Sequence, residues 1–324
     1  MHMIKSLLLL AVALACGTLQ AAEPFPGRPI TLVVPQPAGG AADALARTLG
    51  EEMGRRLGTT FIVENRPGAS GMLGTNVVAR AKPDGHTLLV TNSTPVLTLP
   101  YMFDKVPYDV NRDLRFITQI SSGQLVLVVN HEIPARNMKE FMDWAAQNRG
   151  KVNYGSFGVG TSGHLVASYL SHSRGLDMTH VPFKGEVPLI QELVGGRVSW
   201  GFTTLGPVVP HLQTGRLRAL AVIADQRPKE LPNVPTMAEA GMTDTEFKPM
   251  GWFALLAPAG MPEAVSRRLE KEARAAIATP DMQARIQAYG MDAIGNSGED
   301  ARKEYELLAP VVERMVKASG AKLE

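Results

Sequence analysis

From Ile30 to Val222 the chain alternates between short runs of Val, Leu and Ile and longer stretches with helical spacing of their apolar residues. No other feature restricts the fold as strongly. Runs that are apolar throughout, rather than at every second position, fit strands covered on both faces, the habit of an α/β protein with a largely parallel sheet. Strands are expected at Ile30 to Val34, Thr60 to Glu64, Thr87 to Thr91, Leu125 to Val129, Val152 to Gly155, Met178 to Val181, Leu217 to Val222 and Phe253 to Ala257. Helical spacing marks Ala41 to Leu57, Gly71 to Ala81, Met138 to Asn148, Gly163 to Ser173, Glu186 to Gly195, Val208 to Thr214, Pro262 to Ala278, Pro280 to Tyr289 and Glu299 to Ser319.

Two segments interrupt this rhythm and read as crossings between domains. One is the polar run Thr118 to Gln124; the other, Phe247 to Trp252, follows the Pro-studded loop Arg227 to Pro235. Two crossings place residues 23–122 and 249–324 in one lobe and 123–248 in the other. Ligand sites favour the cleft that such an arrangement leaves.

The first residues read as a secretory signal peptide over 1–22: a positive start at Met1 to Lys5, an apolar run from Ile4 to Leu14, and a small-residue exit at Ala21-Ala22. The single cysteine, Cys16, falls inside this leader, and Ala13-Leu14-Ala15-Cys16 fits a lipoprotein processing site poorly, since such sites favour Leu three residues before the Cys. An exported chain without it has no disulfide and must fold by core burial alone, for which roughly 300 residues suffice. The net charge of +2 is spread along the sequence, so no basic face for nucleic acid is expected. No later apolar segment reaches spanning length, and a soluble, periplasmic, monomeric mature protein is expected.

Two loops carry the candidate chemistry. Val34 to Asp43 (VPQPAGGAAD) and Tyr154 to Leu165 (YGSFGVGTSGHL) each follow a strand and open a helix. Gly39 and Gly40 permit close backbone approach, Thr161 or Ser162 suits an N-cap, and the N–H groups of a helix start can hold an anion. The null alternative is a compact turn capped by Asp43. Neither loop is a P-loop or a nucleophile elbow. One loop in each lobe could grip a carboxylate from both sides. His164 reads first as a structural residue, and the seven histidines show no metal-ligand spacing, so neither metal nor cofactor is expected.

Pro37-Ala38-Gly39-Gly40 with Asp43, Val63 to Gly71, Lys82-Pro83-Asp84-Gly85, Tyr154-Gly155-Ser156 with Gly158 and Gly160, His164-Leu165, Lys184-Gly185, Leu193 to Gly196, Leu217 to Val222, Val234-Pro235-Thr236 and Ala257 to Gly260 recur in that order in one family. The chain resembles the tripartite tricarboxylate transporter receptors, also called Bug proteins, over essentially its whole mature length. The resemblance implies a type II periplasmic binding fold, two lobes with a ligand cleft between them, closing on a small carboxylated solute for delivery to transporter subunits or a sensor. It implies that Ala38, Gly39, Gly40 and Asp43 of the first loop and Ser156, Gly160, Thr161 and Ser162 of the second hold the carboxylate. Family ligands span amino acids, aromatic acids, dicarboxylates and nicotinate-like compounds.

Departures from the family pattern bear on ligand choice. Gln36 stands where an apolar residue is usual, Phe183 where Tyr is frequent, Ser199 where Asp is common, and Glu186 where a small residue is usual. A Glu186 lining the cleft would repel a second ligand carboxylate or welcome an ammonium group. Asn92-Ser93 and Thr203-Thr204, at strand ends, are candidate selectors. The competing readings are a secreted serine hydrolase using Ser156 or Ser162 with His164, for which no elbow and no carboxylate partner is visible, and an interaction module without a small ligand.

Overall fold

The computed structural model describes residues 25–321; the leader expected over residues 1–22, with Cys16, lies outside them. The apolar runs become strands and are buried as their composition requires. Strand β1 (Ile30–Val34) pairs in parallel with β2 (Phe61–Asn65) and β3 (Thr87–Asn92). Helix α1 (Ala41–Leu57) returns between β1 and β2, burying Leu45, Leu49 and Met53 completely, each worth about 1.5–3 kcal/mol. It ends at Gly58, whose φ of 66° is the left-handed conformation that closes a helix, its N–H donating to the Gly54 carbonyl. Helix α2 (Met72–Ala79) leads toward β3.

The chain then runs through β4 (Leu114–Gly123) and, one residue later, β5 (Leu125–Asn130). From β5 it continues through α3 (Met138–Gln147), β6 (Asn153–Ser156), α4 (Ser162–Ser173), β7 (Thr179–Pro182), α5 (Glu186–Val194), β8 (Trp200–Thr204), α6 (Leu205–Gln213) and β9 (Leu217–Ile223). It returns as β10 (Gly251–Pro258), followed by α7 (Glu263–Ile277), α8 (Pro280–Gln287), the short β11 (Met291–Ala293) and α9 (Gly298–Ser319). Two sheets result. The first has the order β11-β4-β10-β3-β1-β2 and the second β7-β6-β8-β5-β9. The first therefore joins strands from both ends of the described chain, while the second is built from one continuous stretch.

Two expectations need correction. Thr118 to Gln124 is not a bare polar linker, because most of it is the second half of β4, hydrogen-bonded in the first sheet. Thr118, Gln119 and Ser121 are buried there, and Asn296 satisfies the first two: its Oδ1 accepts from the Gln119 N–H at 3.0 Å, its Nδ2 donates to Gln119 Oε1 at 2.7 Å, and its carbonyl accepts from Thr118 Oγ1 at 2.7 Å, while Ser121 Oγ donates to Met291 Sδ at 3.5 Å. The sheets are also mixed rather than largely parallel. Strands β10 and β11 in the first sheet and β5 in the second pair antiparallel to their neighbours, since each crossing brings the chain back in the opposite sense. Strands β4, β8 and β11 add to those expected.

Helix α9 carries a buried stripe of Tyr305, Leu308, Val312, Met315 and Val316, and packs against both β4 of the first sheet and α4 beside the second. Because Asn296 precedes α9 and partners the polar half of β4, Asn296→Ala should strand buried donors and acceptors and lower stability by about 2 kcal/mol, read from the midpoint of urea unfolding.

Candidate functional site

A cavity of about 630 Å³ opens between the two sheets. In an α/β sheet the carboxyl ends of strands and the helix starts that follow them make the ligand site, and that is what walls this cavity. Asn92 ends β3 and Ser93 and Thr94 follow it, Thr161 and Ser162 open α4, Glu186 opens α5, and Thr204 ends β8. Its floor comes from the crossings, with Gly123 and Leu125 at one and Gly251, Trp252 and Phe253 at the other. Among the described residues, no Lys, Arg or His lines it, and Glu186 is the one acidic residue that does. A second cavity, about 580 Å³, is lined by charged groups of both signs, including Asp225, Arg227, Lys229 and Glu230, and by none of the ligand-binding residues expected from the sequence.

The first loop delivers a helix start rather than side chains. Gly39 takes a φ of 85°, open to glycine at no steric cost, and its N–H donates to Asp43 Oδ2 at 3.0 Å. The Asp43 carboxylate, 5% exposed, also accepts from Arg47 Nε and Nη2 at 3.1 and 2.9 Å. These bonds, the Arg47 pair foremost, hold its carboxyl below the usual range. Asp43 is thus occupied in fastening the loop to α1. Ala38, Gly39 and Gly40 are exposed, and Ala41, the first residue of α1, is the one that lines the cavity. No side chain caps α1, so its leading N–H groups and the positive end of its dipole remain available to an anion.

Gln36 does not line the cavity but acts on a residue that does. Its Nε2 donates to Thr91 Oγ1 and Asn92 Oδ1 at 3.3 and 3.2 Å, fixing the amide of Asn92. The Gln36 carbonyl in turn accepts from Asn65 Nδ2 at 3.2 Å.

The second loop is braced from behind by two histidines. Ser156 is fully buried, its Oγ 2.7 Å from His180 Nε2 and donating to the Gly158 carbonyl at 3.1 Å. The His164 and His180 rings stack at 3.9 Å, and Tyr154 stacks on the other side of His180 at 5.0 Å. His164 Nδ1 accepts the Gly160 N–H at 3.1 Å, which holds that glycine at a φ of 75°. A Cβ at Gly160 would also collide with Met102. Thr161 caps α4, its Oγ1 accepting from the His164 N–H at 3.4 Å and donating to the Gly158 carbonyl at 2.8 Å.

Of the expected site residues, the structure brings Asn92, Ser93, Thr161, Ser162, Glu186 and Thr204 together on the cavity wall. It places Gln36, Asp43, Ser156, Gly160 and His164 behind the loops as braces, leaves Ala38, Gly39 and Gly40 at the surface, and buries Thr203 completely in β8. The pairing needed for a serine hydrolase is not assembled. The Ser156 hydroxyl is inaccessible and bound to His180, while the free ring edge of His164 is committed to Gly160. Sequence reasoning missed His180, which lies 24 residues from Ser156, and the aromatic residues Phe157, Trp252, Phe253 and Tyr289 of the cavity. Trp252 and Phe253 were signalled by their place at the second crossing, because a strand that passes between lobes necessarily floors the cleft.

Known proteins share this architecture. The sequence model described as tripartite tricarboxylate transporter family receptor matches residues 45–315. A UPF0065 protein from the tcbD-tcbE intergenic region of Pseudomonas sp. (strain P51) is 36% identical over 290 residues, which is 90% of this chain and 86% of that protein. The solved periplasmic binding protein BugD superposes with a TM-score of 0.73 at 29% identity, over 93% of this chain and 100% of its own. MatC from Rhodopseudomonas palustris, solved with bound malate, also gives a TM-score of 0.73 at 29% identity, over 90% of this chain and 100% of its own. Among the described residues, no helix is long and apolar enough to cross a membrane.

Burial, and for His164 the adjacent His180, lowers the histidine pKa values to about 3 and about 4. An unfolded histidine titrates near 6.5. Between these values the unfolded chain binds protons that the folded one refuses, so the stability is fully present above about pH 6.5 and is lost as pH falls toward 4. Urea midpoints measured from pH 7 to pH 4 should fall accordingly, and the fall should be shallower in His164→Gln.

Proposed function

The chain belongs to the tripartite tricarboxylate transporter receptor family, and on that premise we propose that it is a periplasmic receptor, exported by its leader, that captures a small carboxylated metabolite and presents it to transporter subunits or a sensor. Residues 23–122 with 249–324 act as one lobe and 123–248 as the other. The observation that supports this most is the composition of the cleft wall. It offers an uncapped helix start at Ala41, the opening residues of α4 and the amide and hydroxyls of Asn92 and Ser93, with no cation. Neutral donors and helix dipoles hold a carboxylate without the lock of a buried ion pair, which suits a protein that must give its ligand up unchanged.

Capture requires that the ligand favour the closed arrangement, since binding that is equal in open and closed forms shifts nothing. The cleft can supply that difference because one wall belongs to each sheet. A Cβ placed on Gly251 of β10 would stand 3.5 Å from Ser162 Oγ at the head of α4, so the walls already approach each other at the floor. The related MatC was solved with bound malate, a carboxylate. A panel of small carboxylates should include members that raise the melting temperature, with a gain of about 2.7 kcal/mol at 100 times the dissociation constant. Native mass spectrometry of unrefolded protein should show the same class co-purifying, and a flat response to every carboxylate would overturn the reading.

A further inference from the structure

Glu186 is the acidic residue of the cleft wall, and its carboxylate is already engaged. Oε1 accepts from the Thr204 backbone N–H at 2.6 Å and Oε2 from Thr204 Oγ1 at 2.7 Å. Thr204 heads α6, and no side chain caps it in the usual sense. An amide and a hydroxyl at the head of a nine-residue helix form a two-point seat for a carboxylate. The chain's own Glu186 sits in it.

The electrostatics of the cleft make that occupancy decisive. Glu186 has no ion-pair partner among the described residues, and no Lys, Arg or His lines the cavity. A ligand carboxylate at the starts of α1 and α4 is therefore the second negative charge in the cleft, and a dicarboxylate would bring a third against no cation. Each Glu186 oxygen carries one neutral hydrogen bond and keeps lone pairs for another donor. A positively charged nitrogen fills that vacancy and neutralises a half-buried carboxylate at the same time.

We propose that Glu186 makes this cleft selective for a zwitterion, a molecule with a carboxylate at one end and a cationic nitrogen at the other, and bars dicarboxylates of the same length by occupying the Thr204 seat. The proposal rests on the carboxylate-receptor reading and narrows it. Malate, bound by the related MatC, belongs to the class that this chain rejects.

Matched triples of one skeleton isolate the far end of the ligand: 4-aminobutanoate, butanoate and succinate; 6-aminohexanoate, hexanoate and adipate; 4-(aminomethyl)benzoate, 4-methylbenzoate and terephthalate. Calorimetry on the full mature protein should find, in the triple whose length fits, the amine binding tightest and the dicarboxylate weakest, at least tenfold apart, or about 1.4 kcal/mol. Glu186→Gln should remove most of the preference for the amine. Glu186→Ala, which vacates the Thr204 amide and hydroxyl, should raise dicarboxylate affinity at least tenfold, a gain that misfolding cannot produce. A wild-type protein that binds the dicarboxylate as tightly as the amine, or variants that keep the wild-type order, would overturn the role of Glu186 while leaving the receptor standing. Silence from all three triples together with every other carboxylate would overturn both.

Discussion

The pairing of β4 with β10 is the interaction on which the rest of the molecule hangs. Both are crossing strands, and they lie side by side at the middle of the first sheet, with Gly123 opposite Gly251 at the point where each meets the second sheet. The two connections are therefore one strand spacing apart, about 4.8 Å, and the cleft opens directly above them. Glycine at both points lets the two strands meet with no side chain at the point of contact: a Cβ on Gly123 would stand 3.4 Å from the Gly251 carbonyl. Asn92 and Thr204, at the carboxyl ends of β3 and β8, and Thr161, Ser162 and Glu186, at the starts of α4 and α5, wall the cavity above them.

Most of this was legible in the sequence because the central strands are dominated by Val, Leu and Ile, with few polar residues to disguise them. Strand β1 and helix α1 match their expected bounds, and the other expected strands and helices lie within a few residues of theirs. Strand β4 was not legible. Its buried Thr118, Gln119 and Ser121 look like surface residues, and the Asn296 that satisfies two of them lies about 180 residues away, outside any sequence window. Strand direction was likewise hidden, because an antiparallel strand at the centre of a mixed sheet has the same continuous apolar composition as a parallel one.

The site divides along the same line. Loops were readable from glycine and strand-to-helix order, but the facing of individual side chains was not. Asp43 was open to recognition as an internal group, since Arg47 stands four residues later on the same helix, the spacing at which such pairs form. Ser156 and His164 were not, because the residue that binds one and stacks on the other, His180, arrives from a neighbouring strand. Glu186 was legible only as a residue just past a strand end, and its engagement with Thr204 depends on α5 and α6 starting side by side, which only the sheet order β7-β6-β8 brings about.

The split ancestry of the first sheet also orders events in time. Its centre needs β10, so β3 has an unpaired edge and the β4 register has no partner until residues 251–258 have been synthesised. The second sheet waits for nothing beyond residue 223. A chain emerging from its N-terminus can complete the later-encoded lobe first, and meanwhile it carries an apolar strand edge of the kind that pairs with other chains. Until β10 arrives, the β3 edge, Thr87–Asn92, is the segment that a holding factor would have to cover for the longest time.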